Sequence, residues 1–361
     1  MPTPSVDLID PTDKRWASAL ERGAHDVYAT PAYVTAEALR LQAEPVGCLV
    51  NEDGRLFLLP LLLRRVCGGE GSTKDAISPY GYPGIVLNED GAASEDFPDV
   101  CITACLDALR DADVCAAFVR LHPVLNAPLG QQLTRHPLTE NGLTVSIDLT
   151  LPADRAWAEL SKGHANAINR ANRAGFRVEM FPAGQQVDEF TAVYADTLQR
   201  LGAAETYHFS DEYLARLGAL NEAFVAVAYS DDAVAGAYLF FETHGIVQMH
   251  LGGPRTEFRK PSPSHLMIHA IAHWARGRGN SIVHLGGGVG GAIDDSLFTF
   301  KAGFTHRRHP YRTLRLVADQ ERYDALTQER ARLLGSSTEE LLSSGFFPAY
   351  RATRTREPDH V

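Results

Sequence analysis

The sequence predicts an α/β protein of two tandem domains, each built on a mixed sheet that helices cover. Its 361 residues exceed one typical core of about 100–150 residues and suit two cores. The second half alternates strand and helix patterns in the order β-α-α-β-β-β-α-β-α-β, and the first half follows a looser version of that order. We place the first domain at 1–150, the second at 151–345 and a tail at 346–361.

In the second half, β-branched and aromatic runs predict strands, and apolar residues at helical spacing predict helices. The predicted strands are FRVEMF, FVAVAYS, AVAGAYLFFE, GIVQMHLGG, SIVHLGG and YRTLRLV. The predicted helices are 186–201, a helix capped by Ser210, the helix 262–279, a short helix opened by Asp294 or Asp295, and a closing helix over 318–345. The longest central helix lies between the fourth and fifth strands of this series.

In the first half, the same criteria predict fewer and less regular elements. The predicted helices are 14–22, 31–42 and 94–111, and the predicted strands are 45–51, 55–64, 114–122 and 142–149. The segment SPYGYPGIVL, residues 78–87, is predicted as a loop or a strand. No sequence repeat relates the halves, so the predicted duplication is one of structure.

The composition is that of a globular chain, with 45% apolar and 22% charged residues and a net charge of -11. Residues 1–150 hold 11 Lys+Arg against 21 Asp+Glu, and the remaining 23 and 24 leave 151–361 nearly neutral. Such acidity argues against DNA binding. We find no apolar run or leader pattern that predicts a membrane span or export, so a cytoplasmic location is expected. Five cysteines without a CxxC pair predict no disulfide framework and no metal.

Four segments of the second half resemble, in order and spacing, the second domain of Fem-type (FemABX-like) transferases. They are SKGHANAINRANRAGFRV (161–178), TLQRLGAAETYHFSDEYLARL (197–217), HLGGGVGG (284–291) and FKAGF (300–304). In the first half, SPYGYPG (78–84) and FVRLHPVL (118–125) are similar to the broader branch of that superfamily. The resemblance covers residues 28 to 317.

This resemblance implies two tandem GNAT-like acyltransferase domains, the first on the acceptor side and the second for donor binding and transfer. Fem-type proteins use aminoacyl-tRNA where other GNAT enzymes use acyl-CoA. They extend peptidoglycan precursors, and relatives form amide bonds in antibiotic biosynthesis. The aspartate that peptidoglycan-directed members carry in the first domain has no match, because the loop continues as Ile85-Val86-Leu87.

Lys301 of FKAGF matches the lysine that the family places at the transfer site. A cation beside the ester oxygen would stabilise the oxyanion that forms when an amine attacks. The same charge would also suit the terminal phosphate of tRNA. The alternative is a lysine at a helix end, where the dipole favours a positive charge.

The segment before the long helix bears on the donor. An acyl-CoA GNAT holds pyrophosphate on a Q/R-x-x-G-x-G/A loop, whose backbone N–H groups face the phosphates. Here the loop is Arg259-Lys260-Pro261-Ser262-Pro263-Ser264. Arg259 fits, but serines replace both glycines and each proline removes an N–H. We predict that CoA binding is impaired; a variant CoA loop is the alternative.

Two basic stretches without acidic residues, 161–178 and 301–315, predict contacts with a large anion. The predicted tRNA-binding residues are Lys162, Arg170, Arg173, Arg259, Lys260, Arg307, Arg308 and Arg312. Arg170, Arg173 and Arg177 would share one helical face if the helix continued that far. The alternatives are a solvated surface or pairing with the acidic first domain.

The acceptor is predicted to contact residues in both halves. By resemblance, Arg200 and Tyr207 match the region where Fem enzymes hold their acceptor, and Tyr80 and Tyr82 would face the same cleft. Gly287 and Gly288 follow a strand and permit close backbone approach to substrate. A structural turn and a surface arginine are the alternatives for the tyrosines and for Arg200.

Histidine has a suitable pKa to take the proton of the attacking ammonium. His250 and His284, on the fourth and fifth strands, are the candidates, although packed histidines are the alternative. A row of histidines at helical spacing lacks the glutamate of an HExxH site, so no metal is predicted. The row is His265, His269 and His273.

The sequence thus predicts an aminoacyl-tRNA-dependent aminoacyltransferase that forms an amide bond on a small amine-bearing acceptor, such as an antibiotic precursor. The ester supplies the activation, so no cofactor is expected. The alternatives are an acyl-CoA-dependent N-acyltransferase, a peptidoglycan-precursor aminoacyltransferase and a non-catalytic GNAT-like binding protein.

Overall fold

The computed structural model describes residues 4–66, 73–289 and 295–353. The strands are β1 (Asp7–Ile9), β2 (Glu44–Glu52), β3 (Arg55–Arg65), β4 (Lys74–Ile77), β5 (Val86–Leu87), β6 (Val114–Arg120), β7 (Leu138–Asp148), β8 (Arg177–Pro182), β9 (Ala223–Ser230), β10 (Ala233–Thr243), β11 (Ile246–Pro254), β12 (Ile282–Gly286) and β13 (Arg308–Val317).

The helices are α1 (Lys14–Arg22), α2 (Pro31–Leu41), α3 (Glu89–Ala93), α4 (Phe97–Asp111), α5 (Leu129–Gln132), α6 (Ala153–Ala158), α7 (Lys162–Arg173), α8 (Val187–Leu201), α9 (Asp211–Gly218), α10 (Ser264–Gly277), α11 (Ser296–Ala302), α12 (Gln320–Leu334) and α13 (Thr338–Ser343). No described helix is long and apolar enough to cross a bilayer.

The chain divides into two compact units at Gly142–Leu143. Among the described residues, the first unit comprises those up to Gly142, Val289 and those from Pro310 onward. The second unit comprises those from Leu143 to Gly288 and from Asp295 to His309. This division lies close to the predicted one at 150, but residues 310–345, predicted to lie in the second domain, belong to the first unit. The difference arises because β13 pairs with β6, and because the closing helices pack on Cys115 and Ala116.

Each unit carries a mixed sheet with the same succession of strand pairs. In the first unit the order is β1-β2-β3-β4-β6-β13, with β5 on β3, and in the second it is β8-β9-β10-β11-β12-β7. In both orders three antiparallel pairs are followed by one parallel pair, β4 with β6 or β11 with β12, and then by an antiparallel pair. The predicted structural duplication is therefore visible in the strand order.

The second unit follows the predicted element series from β8 to α11, whereas most of the last strand of that series, β13, lies in the first unit. The core of the second unit joins the sheet to α10, whose Met267, Ile271 and Ala275 are buried. Ser210 caps α9 as predicted, accepting a hydrogen bond from the backbone N–H of Tyr213. Because α10 is apolar along one face, it buries that face on the strands that form the site described below.

Three sequence predictions are corrected by the structure. Helix α7 ends at Arg173, and Arg177 opens β8 and pairs with Glu179, so the three arginines do not share a helical face. The closing helix is two helices, because Gly335 adopts a left-handed conformation after α12 (φ 63°). Residues 346–353 of the predicted tail pack against the first unit, where Tyr350 is buried. The predicted mobile end, 356–361, lies outside the described residues.

Candidate functional site

Strands β11 and β12 of the second unit run parallel, in register from Ile246 to Gln248 and from Ile282 to His284. The residues that follow carry unusual backbone. Gly252 has φ 144°, and β12 ends at Gly286 with φ 75°. Because such angles suit glycine, the two strand ends bring bare backbone together at this edge of the sheet. The predicted residues Gly287 and Gly288 continue directly from it.

Helix α11 carries Lys301 to this edge. Asp295 caps the helix, and its carboxylate accepts a hydrogen bond from the backbone N–H of Phe298 at 2.7 Å. At the last turn, the Lys301 Nζ donates a hydrogen bond to the carbonyl oxygen of Gly287 at 2.6 Å. A Cβ on Gly288 would lie 2.2 Å from the Asp295 carboxylate. The close approach of these elements therefore requires glycine at 288.

Burial lowers the pKa of Lys301 to about 8, although the negative charge of Asp295 opposes that shift. Removal from water disfavours the ammonium more than the nearby carboxylate favours it. At pH 7 about nine-tenths of these side chains still carry the proton. The site therefore holds a cation that loses its charge just above neutral pH.

Tyr207 lies on the same side of the second unit, in a helical turn over Glu205–Tyr207. Burial raises the pKa of its phenol, and the Asp295 carboxylate raises it further. The Tyr194 hydroxyl donates a hydrogen bond to the Tyr207 carbonyl oxygen at 2.9 Å, which fixes the turn on α8. The Asp295 carboxylate thus lies close enough to Lys301 and to Tyr207 to act on the pKa of each.

Arg200 lies on α8 beside Tyr238 of β10. Burial raises the pKa of the Tyr238 phenol, and both a hydrogen bond with Ser264 and the positive charge of Arg200 oppose that shift. The Arg200 Nε is buried and has no hydrogen-bond partner among the described residues. This places Arg200 near the start of α10.

The two histidines occupy different environments. His284 is fully buried, with Nδ1 2.7 Å from Gln248 Oε1 and Nε2 3.0 Å from Thr144 Oγ1. Both ring nitrogens are therefore engaged inside the sheet. His250 is half-buried, with its ring 5.0 Å from that of Phe241. His250 is therefore the more exposed residue of the two, although its Nε2 atom is buried, and His284 is not a candidate base.

The basic residues separate into exposed and internally bonded groups. Those exposed to solvent are Lys162, Arg170 and Arg173 on α7, and Arg259 and Lys260 before α10. Arg307 forms an ion pair with Asp148. Arg308 donates hydrogen bonds to the carbonyl oxygens of Ala302 and Thr305, which bracket the end of FKAGF.

The remaining predicted residues belong to the first unit. Arg312 pairs with Glu140 at 3.0 Å. The Tyr80 backbone N–H donates to the Glu37 carboxylate at 2.9 Å, and Tyr82 is buried, its ring 5.3 Å from that of Tyr311. Gly81 between them has φ 94°. These contacts favour the alternative that Tyr82 belongs to a structural turn. Tyr80 is half-buried, so its side chain is more exposed than that of Tyr82.

The sequence reasoning did not assign a functional role to Asp295 or to His164. Asp295 was read only as a helix cap, and its partners Lys301 and Tyr207 are distant in the chain. His164 lies in the basic segment 161–178, where only its arginines and lysine were considered. Among the described residues, no group of three or more His, Cys, Asp or Glu side chains is arranged to hold a metal ion.

Residues 159–295 match the family described as "Acetyltransferase (GNAT) domain". No curated protein sequence matches the chain. The fold is similar to that of FemX, with 13% identity, a TM-score of 0.68, and coverage of 88% of this chain and 99% of FemX.

Two further solved structures have related folds. The C-terminal domain of a putative lysylphosphatidylglycerol synthetase from Agrobacterium fabrum shares 18% identity at a TM-score of 0.53, covering 84% of this chain and 90% of that one. L-PGS from Bacillus licheniformis shares 15% identity at 0.55, covering 86% and 93%. The three structures confirm the predicted α/β fold with GNAT-like units, and the domain matched over residues 159–295 supports the prediction of an acyltransferase.

Proposed function

Because this chain is an acyltransferase that carries a GNAT domain within a FemX-like fold, we propose that it transfers an aminoacyl group from charged tRNA to a small amine. The observation that carries the choice of donor is the start of α10. This helix occupies the place in the GNAT series where acyl-CoA enzymes bind pyrophosphate. Its first turn here is poor in the donors that pyrophosphate needs.

Backbone N–H groups at a helix start bind phosphate when they are present and unoccupied. Pro263 stands at the cap of α10 and Pro261 two residues before it, and neither has an N–H. The N–H of Ser264 donates to the Ser262 hydroxyl at 3.3 Å. The loop therefore offers few free donors to pyrophosphate, which favours a donor without CoA.

Exposed cations near this helix suit a polyanionic donor. Lys162, Arg170 and Arg173 project to solvent from α7, and Arg259 and Lys260 precede α10. Phosphate contacts by such side chains supply most of the salt-dependent affinity for nucleic acids. The internally bonded Arg307, Arg308 and Arg312 are left out of the proposed tRNA surface.

Lys301 is proposed to stabilise the charge that develops during transfer. The amine nitrogen of the acceptor attacks the ester carbonyl carbon, and the resulting oxyanion needs a nearby donor or cation. The C–O bond to the tRNA ribose then breaks, an amide forms, and the ribose oxygen leaves with a proton. Protonated Lys301 is the buried cation of the site, and its bond to Gly287 aims it from the strand edge.

The acceptor amine must also lose a proton. Half-buried His250 on β11 is the proposed proton acceptor, because both ring nitrogens of the other candidate, His284, are engaged inside the sheet. Asp295 and Tyr207 are proposed to contact the acceptor ammonium, since a carboxylate favours a positive charge. Proximity of amine and ester contributes the rest of the rate enhancement.

A small acceptor is favoured over a peptidoglycan precursor. Where the Fem resemblance implies a carboxylate, the chain carries Ile85-Val86-Leu87, and Val86–Leu87 form the buried strand β5 on β3. A lipid acceptor is a separate outcome of the test, because one related fold carries the name of a putative lysylphosphatidylglycerol synthetase. The matched domain's description keeps acetyl-CoA as the competing donor.

The proposal is tested by incubating the protein with total charged tRNA and a panel of amines, and by detecting amides by mass spectrometry. We expect aminoacyl amides that disappear when ribonuclease is added before the protein. Parallel reactions contain acetyl-CoA, or vesicles of phosphatidylglycerol in place of the amines. Product only with acetyl-CoA would overturn the donor, and product only with vesicles would overturn the acceptor.

A further inference from the structure

Gly303 of FKAGF lies directly against the imidazole of His164 on α7. Its φ of -74° is ordinary, so the backbone itself does not require glycine. A Cβ at 303, however, would lie 2.1 Å from Cε1 and 2.4 Å from Nδ1 of His164. The glycine is required by the histidine ring, because real Cβ contacts of this length do not occur.

His164 also holds the residue before Lys301. Its Nε2 lies 2.7 Å from the carbonyl oxygen of Phe300. A carbonyl oxygen only accepts, so Nε2 carries the hydrogen and donates it. Nδ1 is then the acceptor in the neutral ring, and the Ser161 hydroxyl lies 2.9 Å from it. The hydrogen bonds thus define one tautomer.

Ser161 completes the attachment between α7 and the FKAGF segment. Its backbone N–H donates to the carbonyl oxygen of Gly303 at 2.8 Å, and its hydroxyl accepts from the His164 N–H at 3.2 Å. Phe300 and Gly303 flank Lys301 in the chain. Both sides of the lysine are therefore fixed to the first turn of α7.

The surroundings keep this ring neutral. His265 and Phe304 pack edge-on against His164 at centroid distances of 4.5 and 4.6 Å. Burial lowers the pKa of His164, and it lowers that of His265 to about 4, with the charges of His164 and Arg170 adding to the effect. At neutral pH the cluster adds no positive charge beside Lys301.

We propose that His164 is a positioning residue that holds Phe300 and Gly303 so that the Lys301 Nζ stays on the Gly287 carbonyl. It acts through the backbone and does not touch the reacting atoms. The imidazole supplies two things at once, a donor for Phe300 and a flat surface that only glycine can approach. This inference rests on the proposed function in one respect, namely that Lys301 is the group whose position matters for transfer.

The test measures Lys301 directly and needs no substrate. The rate at which an amine-reactive reagent labels Lys301 is followed against pH by peptide mass spectrometry. In the wild type we expect an apparent pKa near 8. In His164→Ala we expect it to move upward by at least about one unit toward the ordinary lysine value, because the loosened segment admits water. His164→Gln, which keeps a side-chain N–H donor, should retain most of the shift.

A second arm tests the steric pairing. Gly303→Ala alone should disturb Lys301 labelling, whereas Gly303→Ala added to His164→Ala should cause little further change, since the smaller side chain at 164 makes room for the methyl group. Circular dichroism and thermal melting confirm that each variant folds. Additive effects of the two substitutions would contradict the pairing.

Transfer kinetics complete the test. We expect His164→Ala to lower kcat by about 10- to 100-fold with little change in KM, as for a displaced catalytic group, and His164→Gln to recover most of the loss. A folded His164→Ala variant with unchanged Lys301 labelling would overturn the inference. Altered labelling in a protein that is inactive with every donor would leave His164 in its role and overturn the proposed function instead.

Discussion

The Nζ of Lys301 donates a 2.6 Å hydrogen bond to the carbonyl oxygen of Gly287 and so joins the end of α11 to the backbone that follows β12. The bond spans the edge where a parallel pair of strands ends in glycines. The bond holds the buried Lys301 ammonium against the backbone carbonyl of a glycine.

Replacement of Lys301 by methionine should abolish most of the transfer activity. Methionine keeps the length and apolar packing but has no charge, so the oxyanion loses its stabilising cation. We expect a fall in kcat of about 10²- to 10³-fold. Steady-state kinetics of amide formation measure it, with Lys14→Met, an exposed lysine of the first unit, as control. Activity within twofold of wild type would remove Lys301 from the chemistry.

Activity should fall as the pH rises through about 8. The pKa of Lys301 lies near that value, so the side chain is cationic below it and neutral above it. The pH profile of kcat/KM reports this loss. In Lys301→Arg, whose guanidinium keeps its charge, the falling limb should vanish from the range up to pH 10 even if the maximal rate is lower. An unchanged limb in that variant would assign it to another group.

The same burial has a consequence for stability. The pKa of Lys301 is lower in the folded protein than the ordinary value of 10.5, so the unfolded chain binds this proton more tightly. Stability contributed by this group is least below pH 8 and rises between about 8 and 10.5. We expect Lys301→Met to melt no lower than wild type at pH 7, with any advantage shrinking towards pH 10. A Tm lowered by several degrees at pH 7 would show that the Gly287 bond outweighs desolvation.

Alanine substitutions of the two histidines should have opposite effects, one mainly on stability and the other mainly on activity. His284→Ala breaks buried bonds to Gln248 and Thr144 and leaves a cavity, so we expect destabilisation of about 2–4 kcal/mol in urea melts. His250→Ala should cost little stability and lower kcat about 10²-fold, as expected for a lost base. Equal activity losses in two equally stable variants would contradict this separation.

Binding of tRNA should depend on α7. Neutralising Lys162, Arg170 and Arg173 together should weaken tRNA binding and reduce the slope of log K against log salt by up to about one per residue. Filter binding across salt concentrations measures both. The matched control is Arg332→Gln, an exposed arginine paired with Glu329 on α12. Loss of affinity in the control alone would place the tRNA surface elsewhere.

The sequence was most informative where long periodic elements follow one another. Helix α8 and strands β9 to β11 carry clear periodicity, and the order of the second unit followed from it. Short elements were not predicted, among them β4 (Lys74–Ile77) and α3 (Glu89–Ala93), because four or five residues are too few to show a hydrophobic period. The assignment of β13 to the first unit escaped as well, since strand pairing over about 200 residues has no local signal.

The residues of the candidate site likewise fall into those that a local sequence pattern predicts and those that only the fold reveals. Lys301 was found through a contiguous motif, and its partner Gly287 through a glycine run. The hydrogen bonds of Arg308 and Arg312 within the protein could not be predicted from the sequence. Arg308 donates to the backbone carbonyl of Ala302, and a backbone partner leaves no sequence pattern. Arg312 donates to Glu140, which is far away in the chain. His164 was missed because its signal is the pairing with Gly303, which only the fold reveals.

The measurement that tests the central claim most directly offers both donors in one reaction. The protein is incubated with an amine acceptor, tRNA charged with ¹³C-labelled amino acids, and deuterated acetyl-CoA, and the amide product is analysed by mass spectrometry. The proposal predicts that the product carries the ¹³C aminoacyl group, depends on Lys301 and disappears with ribonuclease. A product that carries the deuterated acetyl group and survives ribonuclease would contradict it.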